Sequence, residues 1–289
     1  MNDLMNNIKN LREITGAGFL DCKKALSENN NDIDKSINFL RKKGLAKAVK
    51  KSSREANEGV IGVFSNNSST VLLEINTETD FAAKNEIFLN FVEKIGKYLL
   101  NSSNEKLQKT DTFLNSDFDN KKISEHFTEI IAKVGENIVL KRIKVFIKEE
   151  GMEIFSYTHN NYRNNIGKIC AILVAKIKET NEDSKQLGKN LCMHIAASKP
   201  IALDIADLDS NLIDKEKEIQ LATIKSSGKP ENILNKILEG KMNKFYSDVT
   251  LLNQLYIFDT EKKVKEVISE FSSKNAFSIS DYELFILGS

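Results

Sequence analysis

The chain has 289 residues, 40% of them hydrophobic and 29% charged, with Lys+Arg 42 against Asp+Glu 41 for a net charge of +1. That length points to two or three domains, the composition excludes a disordered chain, and the balanced charge excludes wholesale attraction to nucleic acid or an anionic membrane. No apolar run approaches the length that spans a bilayer, and the start lacks the pattern of a secretory signal. Cys22, Cys170 and Cys192 are odd in number and widely spaced, as reduced thiols are, so the expected compartment is cytoplasmic.

The first fifty residues predict a compact three-helix unit. Leu4, Ile8 and Leu11 share one face, "TGAG" breaks the pattern, and Phe19, Cys22 and Leu26 form a second stripe. Asp32 is placed to N-cap a third helix carrying Ile33, Ile37 and Leu40. The basic stretch "LAKAVKKSSRE" after Gly44 has little apolar content and reads as a helical or extended linker.

Strand signals begin at Gly59, where "GVIGVFS" and "TVLLEIN" flank "NNSS" as a hairpin. Phe88, Phe91, Val92, Ile95 and Leu99 then recur at helical spacing, and Asn101 to Lys122 reads as polar and irregular. A short helix is expected around Glu125 to Lys133, and strands at Ile138–Ile147, Glu153–Tyr157 and Ile166–Val174. A helix from Ser184 to Ala197 follows, stopped by Pro200.

Two helices separated by "SSGKP" form an antiparallel αα-hairpin, with Gly228 at the end of the first and Pro230 opening the second. The apolar face of Ile233, Leu234, Ile237, Leu238, Met242 and Phe245 is wide for a pair and suggests packing on something more. A helix over Val264–Phe271 and a strand over Phe277–Leu287 close an α+β chain.

Enzyme motifs fail one by one. "GAGFLD" lacks the third glycine and the preceding strand of a dinucleotide fingerprint, and "SSGKP" lacks the upstream glycine and the metal-binding hydroxyl of a phosphate loop. His126, His159 and His194 make no metal-site spacing with each other or with a cysteine. His159, in "YTHNNYRNN", reads as a solvated loop residue, with a surface contact as the alternative. Few aromatics accompany the basic run at Lys42–Lys51, which argues against a single-strand stacking platform. Neither a cofactor nor a metal is expected.

Several segments, in order, resemble the bacterial elongation factor Ts family, the exchange factors of elongation factor Tu. They are "LREITGAGFLDCKKAL" (Leu11–Leu26), "EINTETDFAAKN" (Glu74–Asn85), "GENI" (Gly135–Ile138), "MHIAASKP" (Met193–Pro200) and "SGKP", and the resemblance spans nearly the whole chain. The resemblance implies a ubiquitin-associated-like three-helix docking domain over 1–53, then a two-part α+β core. Its halves are 54–140, carrying the motif, and 141–289, with an inserted antiparallel helical hairpin at about 211–250 as a possible homodimer surface. It implies no chemical active site, no direct nucleic-acid or membrane partner, and elongation factor Tu, GDP-bound or nucleotide-free, as the partner.

By the same resemblance Phe81 is a wedge in the partner's G domain and Asp80 helps disrupt Mg²⁺ coordination, with Thr79 and Ala82 completing the motif. Arg12, Phe19, Leu20 and Lys23 match the docking surface, and His159 matches a core contact. The chain departs from the family at Ala82, where Val is usual, and at Thr77, where Cys or Ser is common. "YRNN" around Arg163 reads as a longer loop than usual. The chain ends at "ELFILGS" without the C-terminal helix of some members, so that contact is expected to be absent.

Pattern alone reads Thr79 as a helix N-cap and Phe81 as core; the resemblance turns Phe81 outward. Two other function classes stand beside the exchange factor: an adaptor whose three-helix unit binds protein partners without affecting nucleotide, and an enzyme using Cys170 or Cys192 with a histidine.

Overall fold

In the computed structural model, residues 2–15, 17–102, 105–225, 231–273 and 275–289 are described, and the chain is α+β with helices at its N-terminus. Gly16, Gly228 and Pro230, and with them the "SGKP" turn, lie outside the described residues. The chain divides into two compact units: residues 1–147, 160–168 and 285–289 form the first, and 148–159 with 169–284 form the second.

The first unit opens with helices α1 (Asn2–Thr15), α2 (Phe19–Glu28) and α3 (Ile33–Lys51). Ile8, Leu11, Cys22, Ala25, Leu26 and Leu40 fill the space between them. Asp32 caps α3 by accepting the Lys35 N–H at 2.9 Å. The buried Ser36 hydroxyl is satisfied by the Asp32 and Ala25 carbonyls.

Of the two conformations expected after Gly44, helical or extended, the structure has the helix. The basic stretch continues as helix to Lys51 because its buried face is made of small residues. Ala48 joins the main core, and a Cβ at Gly44 would sit 2.8 Å from the Ala132 Cβ of α7 (Ile123–Val134). A search for large apolar residues passes over such a seam, where small side chains let two helices approach closely.

A four-stranded sheet follows. It is built from β1 (Glu58–Ser65), β2 (Ser69–Thr77), β5 (Ile138–Ile147) and β7 (Ile166–Gly167), in the order β5-β2-β1-β7. β2 is buried at all nine positions, flanked by antiparallel β1 and β5. Val71, Leu73 and Ile75 pack into a core with Phe88, Val92, Ile95 and Leu99 of α5 (Glu86–Asn101) and with Phe127 and Ile131 of α7.

The stretch expected to be irregular holds α6 (Thr110–Leu114) and a hairpin of β3 (Asp117–Phe118) and β4 (Lys121–Lys122). It is anchored by fully buried Phe113 and by the Phe118 ring, 4.2 Å from the Tyr98 ring. Isolated aromatics in a polar run carry no period, which hides such an anchor from pattern reading.

In the second unit β6 (Met152–His159), β8 (Ile169–Ile177) and β11 (Phe277–Ile286) form a sheet of order β11-β8-β6. Ala171, Leu173 and Ala175 of β8 pack with Leu187, Leu191 and Ile195 of α8 (Glu182–Ser198). α9 (Ser210–Lys225) lies against α10 (Glu231–Val249), and the Lys241 ammonium donates to Gln220 across the pair at 2.9 Å. In that hairpin Met242 and Ile224 are buried, whereas Leu234, Ile237, Leu238 and Phe245 are only half-buried. A short hairpin of β9 (Leu255–Tyr256) and β10 (Asp259–Lys263), then α11 (Val264–Ser272), leads into β11. No helix among the described residues is long and apolar enough to cross a membrane.

His194 on α8 is fully buried. Its Nδ1 accepts the Ile257 N–H at 3.3 Å, so Nε2 carries the proton and donates to Gln254 Oε1 at 3.0 Å. Burial pushes its pKa below the ordinary 6.5. The unfolded chain therefore takes up a proton that the folded chain refuses. This part of the stability is fully present above about pH 6.5 and is lost as pH falls toward the folded-state value. Thermal unfolding between pH 7.5 and 5.5 should show a declining melting temperature, with a shallower decline in His194→Gln; identical slopes would remove His194 as a cause.

Candidate functional site

Residues 76–85 leave the end of β2 and turn at once into α4 (Asp80–Ala83), a helix of one turn. So short a helix cannot hold itself and must be held by its surroundings. Thr79 is extended at φ −129° and caps α4, its hydroxyl accepting the Ala82 N–H at 3.3 Å. The same hydroxyl donates to Glu136 Oε1 at 2.7 Å, and the Thr79 N–H donates to Glu136 Oε2 at 2.9 Å. From below, fully buried Thr77 donates its hydroxyl to the Thr79 carbonyl at 2.8 Å.

The neighbouring residues are tied as well. Glu78 Oε1 accepts the Asn137 N–H at 2.7 Å, and its other oxygen lies 3.3 Å from the Arg54 guanidinium. The hydrogen bond from Asn137 is the main cause that holds the Glu78 carboxyl below its usual range. The Asn137 side chain, buried, donates to the Arg54 carbonyl at 2.6 Å and to the Ser52 carbonyl at 3.4 Å. Lys51 donates to the carbonyl of Gly135, which ends α7 in the left-handed region at φ 87°. The motif is thus mounted on residues 135–137, which also grip the end of α3.

On this mount Phe81 is 82% exposed, while Ala82 and Ala83 behind it are buried. The expectation that Phe81 is core, drawn from pattern alone, is overturned: Ala82 and Ala83 take the buried side of the turn, and Phe81 faces outward as the resemblance implies. Asp80 bonds the Lys84 ammonium at 2.7 Å. That bond, with the charges of Lys84 and Lys168, lowers the Asp80 pKa, so Asp80 is presented as a carboxylate. Lys84 is raised by the same bond and also lies over the Tyr162 ring, 5.6 Å from its centroid. The "YRNN" loop is pinned rather than loose: Arg163 binds Glu86, Asn90 and Glu93 of α5.

Arg12, Phe19, Leu20 and Lys23 are all exposed around the α1–α2 corner, with Leu20 at 77%. Arg12 and Phe19 line one shallow depression with Met5, Ile8 and Lys9. His159 is not a loop residue but the exposed last residue of β6, its Nδ1 3.0 Å from the Tyr157 hydroxyl. Glu78, Glu136 and Asn137 were missed as site residues, although "GENI" holds two of them; their contacts span 57 and 59 residues of chain.

Among the described residues no group of His, Cys, Asp and Glu is arranged to hold a metal ion. Cys170 and Cys192 are buried, and burial raises both thiols well above their usual range. A nucleophilic cysteine needs the opposite shift, which counts against the thiol-enzyme alternative.

A family model described as Elongation factor TS matches residues 78–289, beginning within this motif. The chain is 37% identical over 286 residues to the elongation factor Ts of Ehrlichia ruminantium (strain Gardel), covering 98% of each. It is 39% identical to that of Rhodospirillum centenum over 263 residues, 90% of this chain and 84% of the relative. To that of Nitratiruptor sp. it is 42% identical over 268 residues, 91% and 85% respectively. With a family match over most of its length and relatives that it covers to 84% or more, the chain belongs to the elongation factor Ts family.

Proposed function

We propose that this chain is the guanine nucleotide exchange factor of elongation factor Tu, acting in the cytoplasm as a binding protein without bond-making chemistry. It binds the GDP form, releases GDP by displacing Mg²⁺ and wedging the G domain, and stabilises the nucleotide-free state until GTP enters. One observation carries this reading: an aromatic ring 82% exposed on a one-turn helix whose capping Thr79 is held by Thr77 and Glu136. A ring presented on a rigid mount loses little freedom on binding, which supports insertion into a partner.

The roles divide by position. Residues 1–53 dock on the G domain through Arg12, Phe19, Leu20 and Lys23; all four are exposed, and none is needed for the core of their own bundle. Phe81 is the wedge, Asp80 supplies the carboxylate near the partner's Mg²⁺, and Thr79 and Ala82 hold them. His159 makes a separate contact from the core. Linkage requires reciprocity: GDP must weaken binding of the exchange factor by the factor with which the exchange factor weakens GDP.

The test is release of fluorescent GDP from elongation factor Tu. Acceleration by the wild-type chain and its loss with Phe81→Ala/Asp80→Ala are expected. Binding to elongation factor Tu without acceleration would favour the adaptor alternative. The α9–α10 hairpin, exposing Leu212 and Ile219, is the proposed homodimer surface. Light scattering at micromolar concentration should give twice the chain mass, and the mass of one chain would overturn the dimer.

A further inference from the structure

We infer that Glu136 is a positioning residue for exchange: it sets the direction and stiffness with which Phe81 is presented, and it does so through Thr79. The inference rests on the exchange reading above. Thr79 makes more hydrogen bonds than a cap requires. The Thr79 cap alone satisfies the Ala82 N–H, as an N-cap must. Glu136 adds two hydrogen bonds at 2.7 and 2.9 Å, one to the capping hydroxyl and one to the Thr79 N–H, using both carboxylate oxygens on a single residue. A two-point grip fixes orientation as well as distance, and charge-assisted bonds to a carboxylate are the strong kind.

Glu136 is also held from behind. Its neighbour Asn137 donates its N–H to Glu78 and its side chain to the Ser52 and Arg54 carbonyls, and Gly135 accepts from Lys51. The bracket 135–137 therefore joins the end of α3, which follows the proposed docking residues, to the turn that carries Phe81. Ala82 lends the wedge only a small buried side chain. In this chain the stiffness comes from the carboxylate clamp.

Two readouts test this. Chymotrypsin cuts after Phe, and cutting at Phe81 requires the one-turn helix to open, so the cleavage rate reports the mount itself. Glu136→Ala should raise the cleavage rate after Phe81 about fivefold, the equivalent of a lost cap. Glu136→Gln, which keeps one acceptor oxygen, should fall between the two. An unchanged cleavage rate in both variants overturns the inference, whatever the exchange assay gives.

In the release assay Glu136→Ala should lower the maximal GDP-release rate about fivefold and leave the half-saturating concentration unchanged. In a Phe81→Ala background it should lower the rate no further. Faster cleavage with an unchanged maximal rate, or an equal loss in the Phe81→Ala background, overturns the positioning role. No acceleration by the wild-type chain would instead overturn the exchange reading.

Discussion

Phe81→Ala is expected to lower the maximal rate of GDP release from elongation factor Tu by about 10- to 100-fold, because burying one Phe in a partner is worth about 1.5–3 kcal/mol. The melting temperature should not move, since Phe81 is 82% exposed in the free chain and contributes little to its core. The same magnitude sets a limit on the wedge. Weakening GDP a thousandfold needs about 4 kcal/mol of coupling, more than one ring supplies. The proposed docking surface around Arg12, Phe19, Leu20 and Lys23 would have to provide the remainder. Substitutions there should raise the half-saturating concentration, whereas Phe81→Ala acts on the maximal rate. A Phe81→Ala protein that releases GDP at the wild-type rate when saturating would sink the wedge assignment.

The largest stability effect is expected at the Glu74–Arg142 pair, between inner strand β2 and edge strand β5 of the first sheet. Glu74 is fully buried on β2, opposite Arg142 on β5, with Oε2 2.7 Å from the guanidinium Nε. Its other oxygen accepts the Gly288 N–H at 3.2 Å. Arg142 in turn donates to the Ile286 carbonyl at 3.0 Å and lies 3.9 Å over the Phe285 ring. The pair thus pins residues 285–289 to the first unit.

Its two halves are unequal, because the Arg142 side chain is 31% exposed and the Glu74 side chain 0%. Arg142→Leu strands a carboxylate with no access to water and should cost about 3–5 kcal/mol. Glu74→Leu leaves a guanidinium that water can still reach and should cost less. The double variant should recover much of the loss, since an apolar pair can replace a buried ion pair. Chemical denaturation of the three variants measures this order; equal costs for the two single substitutions would contradict it.

Where apolar residues recurred with a period, the sequence alone specified the structure. The stripes of α1, α2, α5 and α10, the β1–β2 hairpin and the Asp32 and Thr79 caps are all local, each read within a few residues. The ordered motifs likewise marked the family and pointed to Asp80 and Phe81. Local pattern failed where the deciding contact lies far along the chain. Helix and extended chain stayed open for the basic end of α3, and the choice of helix is made by Gly44 and Ala48 packing against the rest of the first unit.

The family resemblance turned Phe81 outward, but the physical reason it faces that way lies only in the tertiary structure. A Phe after a capping Thr is compatible with burial or exposure, and hydrophobicity favours burial. The choice is made by Glu136, 57 residues away, gripping Thr79, and by Ala82 and Ala83, which take the buried side of the turn. No spacing along the chain encodes that grip, because it forms only when β2 and β5 pair and bring the two segments together.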